Sequence, residues 1–129
     1  MSIYNHKKKY PKGSLVQFEI ESEILKNNPL KDPFVRTVFV YLPADYEEME
    51  VDLPVMYYLA AYTNSATGVV GWKAFGENIT ERLDRLIAEN KMGACIVVMP
   101  DCFTCLGGNQ YIDSPAIGNY ASYIVEEVV

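Results

Sequence analysis

The sequence predicts an α/β fold: two antiparallel strands followed by β-α-β-α. Three observations carry this expectation. Alternating hydrophobicity near the start reads as a strand with one wetted face. Two short apolar runs, 55–59 and 94–99, are of the kind buried inside parallel sheets. An amphipathic helical pattern lies between those two runs.

Residues 1–13 read as a flexible, polar arm whose basic cluster, Lys7-Lys8-Lys9, is a solvated tail. From 14 to 25, Val16, Phe18 and Ile20 alternate with Gln17, Glu19 and Glu21, as in a strand. Asn27-Asn28-Pro29 and Lys31-Asp32-Pro33 break the chain, and a second strand runs from Phe34 to Leu42, closed by Pro43. Their short polar connection implies an antiparallel pair. A loop through Glu47-Glu48-Met49-Glu50 leads to Pro54 and the run Val55-Met56-Tyr57-Tyr58-Leu59, expected to be a strand buried on both faces. Residues 60–76 read as a loop rich in Gly, Thr, Ser and Asn.

Ile79, Leu83, Leu86 and Ile87 fall at i, i+4, i+7 and i+8, which predicts a helix over 79–89. Asn78 and Glu81 can form a capping box at its start, and Asn90 and Gly93 mark its end. A strand over 94–99 ends at Pro100-Asp101, and a loop dense in Gly, Cys and Tyr follows from Cys102 to Gly118. From an N-cap at Asn119, a helix places Tyr120, Ile124 and Val128 on one stripe, widened by Tyr123. Strand, helix and strand make a βαβ unit and hence a parallel pair. Open sheets of this kind hold ligands outside the carboxyl ends of their strands.

Length and composition bound the function. The 129 residues suit one core, with 50% hydrophobic and 22% charged residues as in an ordinary soluble protein. A net charge of -6 excludes a nucleic-acid partner, which would need clustered Lys and Arg. No apolar stretch reaches the ~18 residues of a membrane span, and none follows the basic arm as a secretory signal requires. Three cysteines do not make a disulfide framework, so a reduced, cytoplasmic chain is expected.

Candidate chemistry is sparse. Cys102-Phe103-Thr104-Cys105 has redox spacing, but Leu106-Gly107-Gly108 follows where a helix N-terminus should lower the thiol pKa. A zinc site needs four ligands, and only Cys95 and distant His6 are left to add, so no metal and no cofactor are expected. His6 is the sole histidine and lies in the arm, where nothing holds it against a nucleophile. No G-x-S-x-G is present. Asp101, just past a strand end, either orients a ligand hydroxyl or caps the loop, and the two readings stay open. Trp72 and Tyr111 lie in the matching loops after strands 55–59 and 94–99, as pocket walls or as loop anchors.

Several blocks carry a resemblance. They are Pro54 to Tyr62, Glu81-Arg82-Leu83-Asp84-Arg85-Leu86-Ile87, Val97-Val98-Met99-Pro100-Asp101-Cys102, Leu106 to Ser114, and Tyr120 to Val129. Together they resemble the N-terminal half of an α/β-hydrolase of the putative-esterase family. That family includes enterochelin esterase, S-formylglutathione hydrolase, feruloyl esterases and the antigen 85 mycolyltransferases. The resemblance implies an incomplete α/β-hydrolase domain over 14–129, truncated before the nucleophile strand. It implies a serine carboxylic-ester hydrolase acting on a small-molecule ester, and a homo-oligomer is compatible with it. The oxyanion donor would be the N–H of Tyr62 or its neighbour Ala61, because a fixed N–H aimed at developing negative charge lowers the acyl-transfer barrier. The loop over 101–115 would line the substrate pocket, with Trp72, Asp101, Cys102, Gly108, Gln110 and Tyr111 as candidates.

Ala61 stands where the family usually carries glycine. A positive φ there would cost an alanine about 1–2 kcal/mol. The nucleophilic Ser, the acid and the His are all expected beyond Val129, so the chain alone is expected to be inactive. The alternative is a non-catalytic binding module derived from a hydrolase. In the hydrolase arrangement, strand 55–59 would pair on its open side with a strand not present here, which argues against a self-contained sheet.

Overall fold

The computed structural model describes residues 10–129. His6 and Lys7-Lys8-Lys9 lie outside the described residues. Strands β1 (Ser14–Glu21), β2 (Val35–Leu42), β3 (Val55–Tyr57) and β4 (Ile96–Pro100) form one mixed sheet in the order β1-β2-β4-β3. β1 and β2 run antiparallel, as their short polar connection implies, with Phe18 opposite Val38 and Ile20 opposite Arg36. β3 and β4 are parallel, as a βαβ unit requires. β4 also pairs antiparallel with β2, a contact the strand pattern did not predict.

Alternation along β2 sends its residues to two faces. Phe39 and Tyr41 share one face with Met99 and Val97, their register partners on β4. That face packs against α1 (Ala66–Val70) and α2 (Ile79–Ala88) through Ala66, Leu83 and partly buried Val69, Val70, Ile79 and Ile87. α2 starts on the predicted capping box: Asn78 Oδ1 accepts the Glu81 N–H at 2.9 Å, and Glu81 Oε1 accepts the Asn78 N–H at 3.2 Å. Asp84 on α2 accepts hydrogen bonds from Tyr41 Oη at 2.7 Å and the Gly13 N–H at 2.9 Å, fastening the helix to the sheet. Helix α1 lies within the stretch 60–76 whose composition predicts a loop; it begins where Ser65 Oγ accepts the Gly68 N–H.

Residues 36 and 38 of β2 face the other way. There α3 (Tyr120–Ser122) continues without a break into a wider π-helical segment, Tyr123–Val128. Its predicted stripe of Tyr120, Tyr123, Ile124 and Val128 packs with Leu25, Cys102, Ile20 and Ile24. The molecule is therefore three layers deep, with helices on both faces of the sheet. A two-stranded ribbon, β5 (Asp113–Ser114) and β6 (Gly118–Asn119), precedes α3.

Three further expectations change. β1 stops at Glu21 and not at residue 25, because buried Ser22 starts a turn: its Oγ accepts the Leu25 N–H at 2.9 Å. Glu127, in the last turn of the π segment, accepts the N–H groups of Glu23 and Ile24 and the hydroxyl of Ser22. Second, Asn119 makes no side-chain cap on α3. Asp113 replaces it, accepting the N–H and the hydroxyl of Ser122 at 2.9 and 2.6 Å, and these bonds hold its carboxyl below the usual range.

The third concerns the apolar run 55–59. It is not buried on both faces: each residue from Val55 to Leu59 is more than a third exposed. β4 takes the interior position, and the outer edge of β3 has no strand partner among the described residues.

Candidate functional site

Because β3 and β4 are parallel, their carboxyl ends leave the sheet at one rim. The loops that follow enclose an open cleft of about 340 Å³, lined by Thr63, Asn64, Ser65, Asp101 and Phe103. The cleft thus lies at the position predicted for a ligand in an open α/β sheet.

The loop after β3 makes a tight turn. The Asn64 N–H donates to Ala61 O at 3.0 Å, and Thr63, third of the four residues, has φ 70°. A positive φ at that place alone is the mark of a type II turn. The strain expected at Ala61 therefore falls on Thr63, a β-branched residue in a left-handed conformation, and Ala61 keeps an ordinary negative φ. Since N–H and C=O of a trans peptide point oppositely, the inward Ala61 carbonyl turns the Tyr62 N–H outward. Among the described residues, neither the Ala61 nor the Tyr62 N–H meets an acceptor. The Thr63 N–H is already engaged with Gly107 O at 2.8 Å.

The loop after β4 is braced from beneath by Arg36, the second residue of β2 and only 3% exposed. Its guanidinium donates to Phe103 O and to Tyr120 Oη, each at 2.8 Å, and lies 3.7 Å from an Asp101 carboxylate oxygen. Asp101 also accepts the Phe103 N–H at 3.2 Å, so it caps its own loop while facing the cleft. Phe103, 41% exposed, supplies an apolar wall.

The remaining predicted pocket residues disperse. Cys102 is buried under the loop beside Leu25, Tyr120 and Tyr123. Gly108 packs directly on the turn Ala61–Asn64: a Cβ there would lie 3.0 Å from the Thr63 backbone nitrogen. Tyr111 reaches across to donate its hydroxyl to Ala60 O at 2.6 Å. Gln110 is exposed and Trp72 is 51% exposed, and neither lines the cleft. Thr63, Asn64 and Ser65 line the cleft without being among the residues expected there, Phe103 does so from within the expected loop, and Arg36 supports it from below. The polar run Thr63-Asn64-Ser65 directly after a strand was a usable signal; Arg36 gave none, because arginines in strands usually face water.

The cleft offers hydroxyls, an amide and a carboxylate, with one aromatic wall. Cys102 does not suit redox chemistry, since burial pushes its thiol up to about 12 whereas exchange needs an accessible thiolate. Among the described residues no three His, Cys, Asp or Glu side chains converge on a metal position, and no helix is long and apolar enough to cross a membrane.

Comparison with known proteins locates this architecture. No family model and no curated protein matches the sequence. Among solved structures, the chain is similar to a ferulic acid esterase, with TM-score 0.69 and 22% identity, covering 94% of this chain and 42% of that one. It is also similar to an S-formylglutathione hydrolase from Agrobacterium tumefaciens, with TM-score 0.52 and 20% identity, covering 94% of this chain and 43% of that one. At such identities the likeness is one of fold. The chain spans less than half the length of either neighbour.

Proposed function

We propose that the chain is the N-terminal, oxyanion-bearing part of a serine carboxylic-ester hydrolase that cleaves a small-molecule ester in the cytoplasm. The observation that carries this reading is the turn Ala61–Asn64: two backbone N–H groups without acceptors leave it, beside a cleft at the carboxyl ends of two parallel strands. The esterase neighbours, alike in fold over 94% of the chain, support it.

In the complete enzyme a serine hydroxyl attacks the ester carbonyl, and a histidine takes the hydroxyl proton and returns it to the leaving alcohol. The tetrahedral oxygen gathers negative charge, and fixed N–H dipoles at Tyr62 and Ala61 stabilise it by several kcal/mol without reorganising. Phe103 and Asp101 line the cleft in which one side of the ester sits. The serine, the acid and the histidine belong to sequence beyond Val129.

The test has two parts. Reading the coding sequence past Val129 should reveal a G-x-S-x-G within a few tens of codons; an unrelated sequence or an immediate stop overturns the reading. The longer product should hydrolyse p-nitrophenyl acetate, the 129-residue chain should not, and replacing the elbow serine with alanine should abolish turnover.

A further inference from the structure

Tyr111 departs from what a pocket wall requires. Its backbone is left-handed, with φ 57°, a conformation that bulky residues rarely adopt. A side chain braces it there: Asn109 Oδ1 accepts the Tyr111 N–H at 2.7 Å, and Asn109 Nδ2 donates to Cys102 O at 3.0 Å. Local strain held in place by neighbouring bonds is a feature of sites where geometry matters. The strained backbone sends the phenol across to the other loop, where it donates to Ala60 O at 2.6 Å. Burial raises that phenol to about 12, so it remains a donor through the neutral range.

Ala60 immediately precedes the oxyanion turn. Its carbonyl belongs to the same rigid, planar peptide unit as the Ala61 N–H, and the two point in opposite directions. Fixing Ala60 O therefore fixes the line along which the Ala61 N–H leaves the backbone. The next peptide is set in the same way, since the Asn64 N–H holds Ala61 O and thereby orients the Tyr62 N–H. Both outward N–H groups are thus aimed by a donor acting on the carbonyl behind them: one comes from within the turn, the other from Tyr111.

We propose that Tyr111 is a positioning residue for the oxyanion turn, its hydroxyl bond to Ala60 O locking the Ala60–Ala61 peptide plane. The proposal rests on the esterase reading of that turn. It also changes the place of Tyr111, whose hydroxyl is committed to the backbone and not offered to a ligand.

The test uses the 15N-labelled chain titrated with methyl phenylphosphonate, a monoanionic tetrahedral probe with an aryl ring. In the unaltered chain the amide signals of Ala61 and Tyr62 should move downfield on saturation. In Tyr111→Phe, which keeps the ring and removes the hydroxyl, that movement should fall at least fivefold, while amides of α2 and β4 stay in place. Tyr41→Phe removes a phenol that bonds Asp84 on α2, away from the turn, and should leave the response intact. If Tyr111→Phe does not fold, Tyr111→Asn serves instead, because asparagine tolerates the left-handed backbone while lacking the reach to Ala60. An undiminished response in a folded Tyr111 variant overturns the positioning role and leaves the oxyanion reading standing. Absence of any response in the unaltered chain overturns the oxyanion reading and the proposal with it.

Discussion

Arg36 and Tyr120, 84 residues apart, meet in the interior with guanidinium nitrogen and phenol oxygen 2.8 Å from each other. The pair joins the start of β2 to the start of α3, and the same guanidinium reaches Phe103 O and Asp101 on the cleft. A buried cation is costly unless it is paired and hydrogen-bonded; here both terminal nitrogens of the guanidinium are engaged, while Nε is buried without a partner among the described residues. Replacing Arg36 with Met should therefore cost about 3 kcal/mol, with Phe103 O and the Tyr120 hydroxyl left without a donor. Tyr120→Phe should cost about 1–2 kcal/mol. Urea unfolding of both single variants and the double variant measures the coupling. Additive losses would mean that the bond contributes nothing of its own.

Thr63 holds the positive φ of the turn Ala61–Asn64. Thr63→Gly should stabilise the chain by about 1 kcal/mol, because glycine accepts that conformation without the Cβ penalty. Ala61→Gly should destabilise it by about 0.5–1 kcal/mol, since it relieves no strain and enlarges the unfolded ensemble. Opposite shifts in thermal midpoint are the expected result; a gain from Ala61→Gly would place the strained position wrongly.

Gly108 lets the second loop approach the turn. An added methyl would lie 2.7 Å from Tyr62 Cδ2 and 3.1 Å from Tyr62 Cα. Gly108→Ala should destabilise by about 2 kcal/mol. In an amide correlation spectrum its largest displacements should fall at residues 61–64; changes confined to 105–110 would show that the turn does not depend on this contact.

Asp113 accepts the Ser122 hydroxyl and N–H, which depress its carboxyl pKa in the folded state. A depressed folded pKa gives stability that is present above the ordinary carboxylate pKa and lost as pH falls through the folded one. Asp113→Asn should therefore lower the thermal midpoint at pH 7. The gap between the two proteins should close under acid, below the usual carboxylate range. A gap that persists unchanged there would assign the effect to something other than the charge.

The outer edge of β3 presents apolar side chains and an unpaired backbone ladder among the described residues. Such edges template association. The chain should show a mass above 14.6 kDa by light scattering as its concentration rises, and Val55→Lys should suppress that rise. Association unaffected by a charge on β3 would locate the contact elsewhere.

Most of the frame was legible because it rests on local signals. Asn78 and Glu81 announce their helix by spacing, and Val16, Phe18 and Ile20 announce their strand by alternation. The position of β4 between β2 and β3 was not legible, since strand order is a nonlocal property that no period encodes. The same limit hid Arg36. β2 runs against β3 and β4, so its first residues reach the rim where its neighbours end. The shift of strain from Ala61 to Thr63 was hidden for another reason: a turn's type is set by the dihedrals of its two central residues, and Thr63 stands where a glycine or asparagine would have signalled the positive φ.

The bonds from Glu127 to Ser22, Glu23 and Ile24 carry a consequence in time. Ser22 and Glu127 are 105 residues apart. At typical synthesis rates the carboxylate leaves the ribosome roughly 5–20 s after the turn it completes. Until then the amides of 23 and 24 and the Ser22 hydroxyl lack that acceptor, and the inner face of Leu25 has neither Tyr120 nor Tyr123 to cover it. The β1–β2 hairpin therefore waits for the helix that carries Glu127, and the nascent chain is most vulnerable at its earliest strands until that helix arrives.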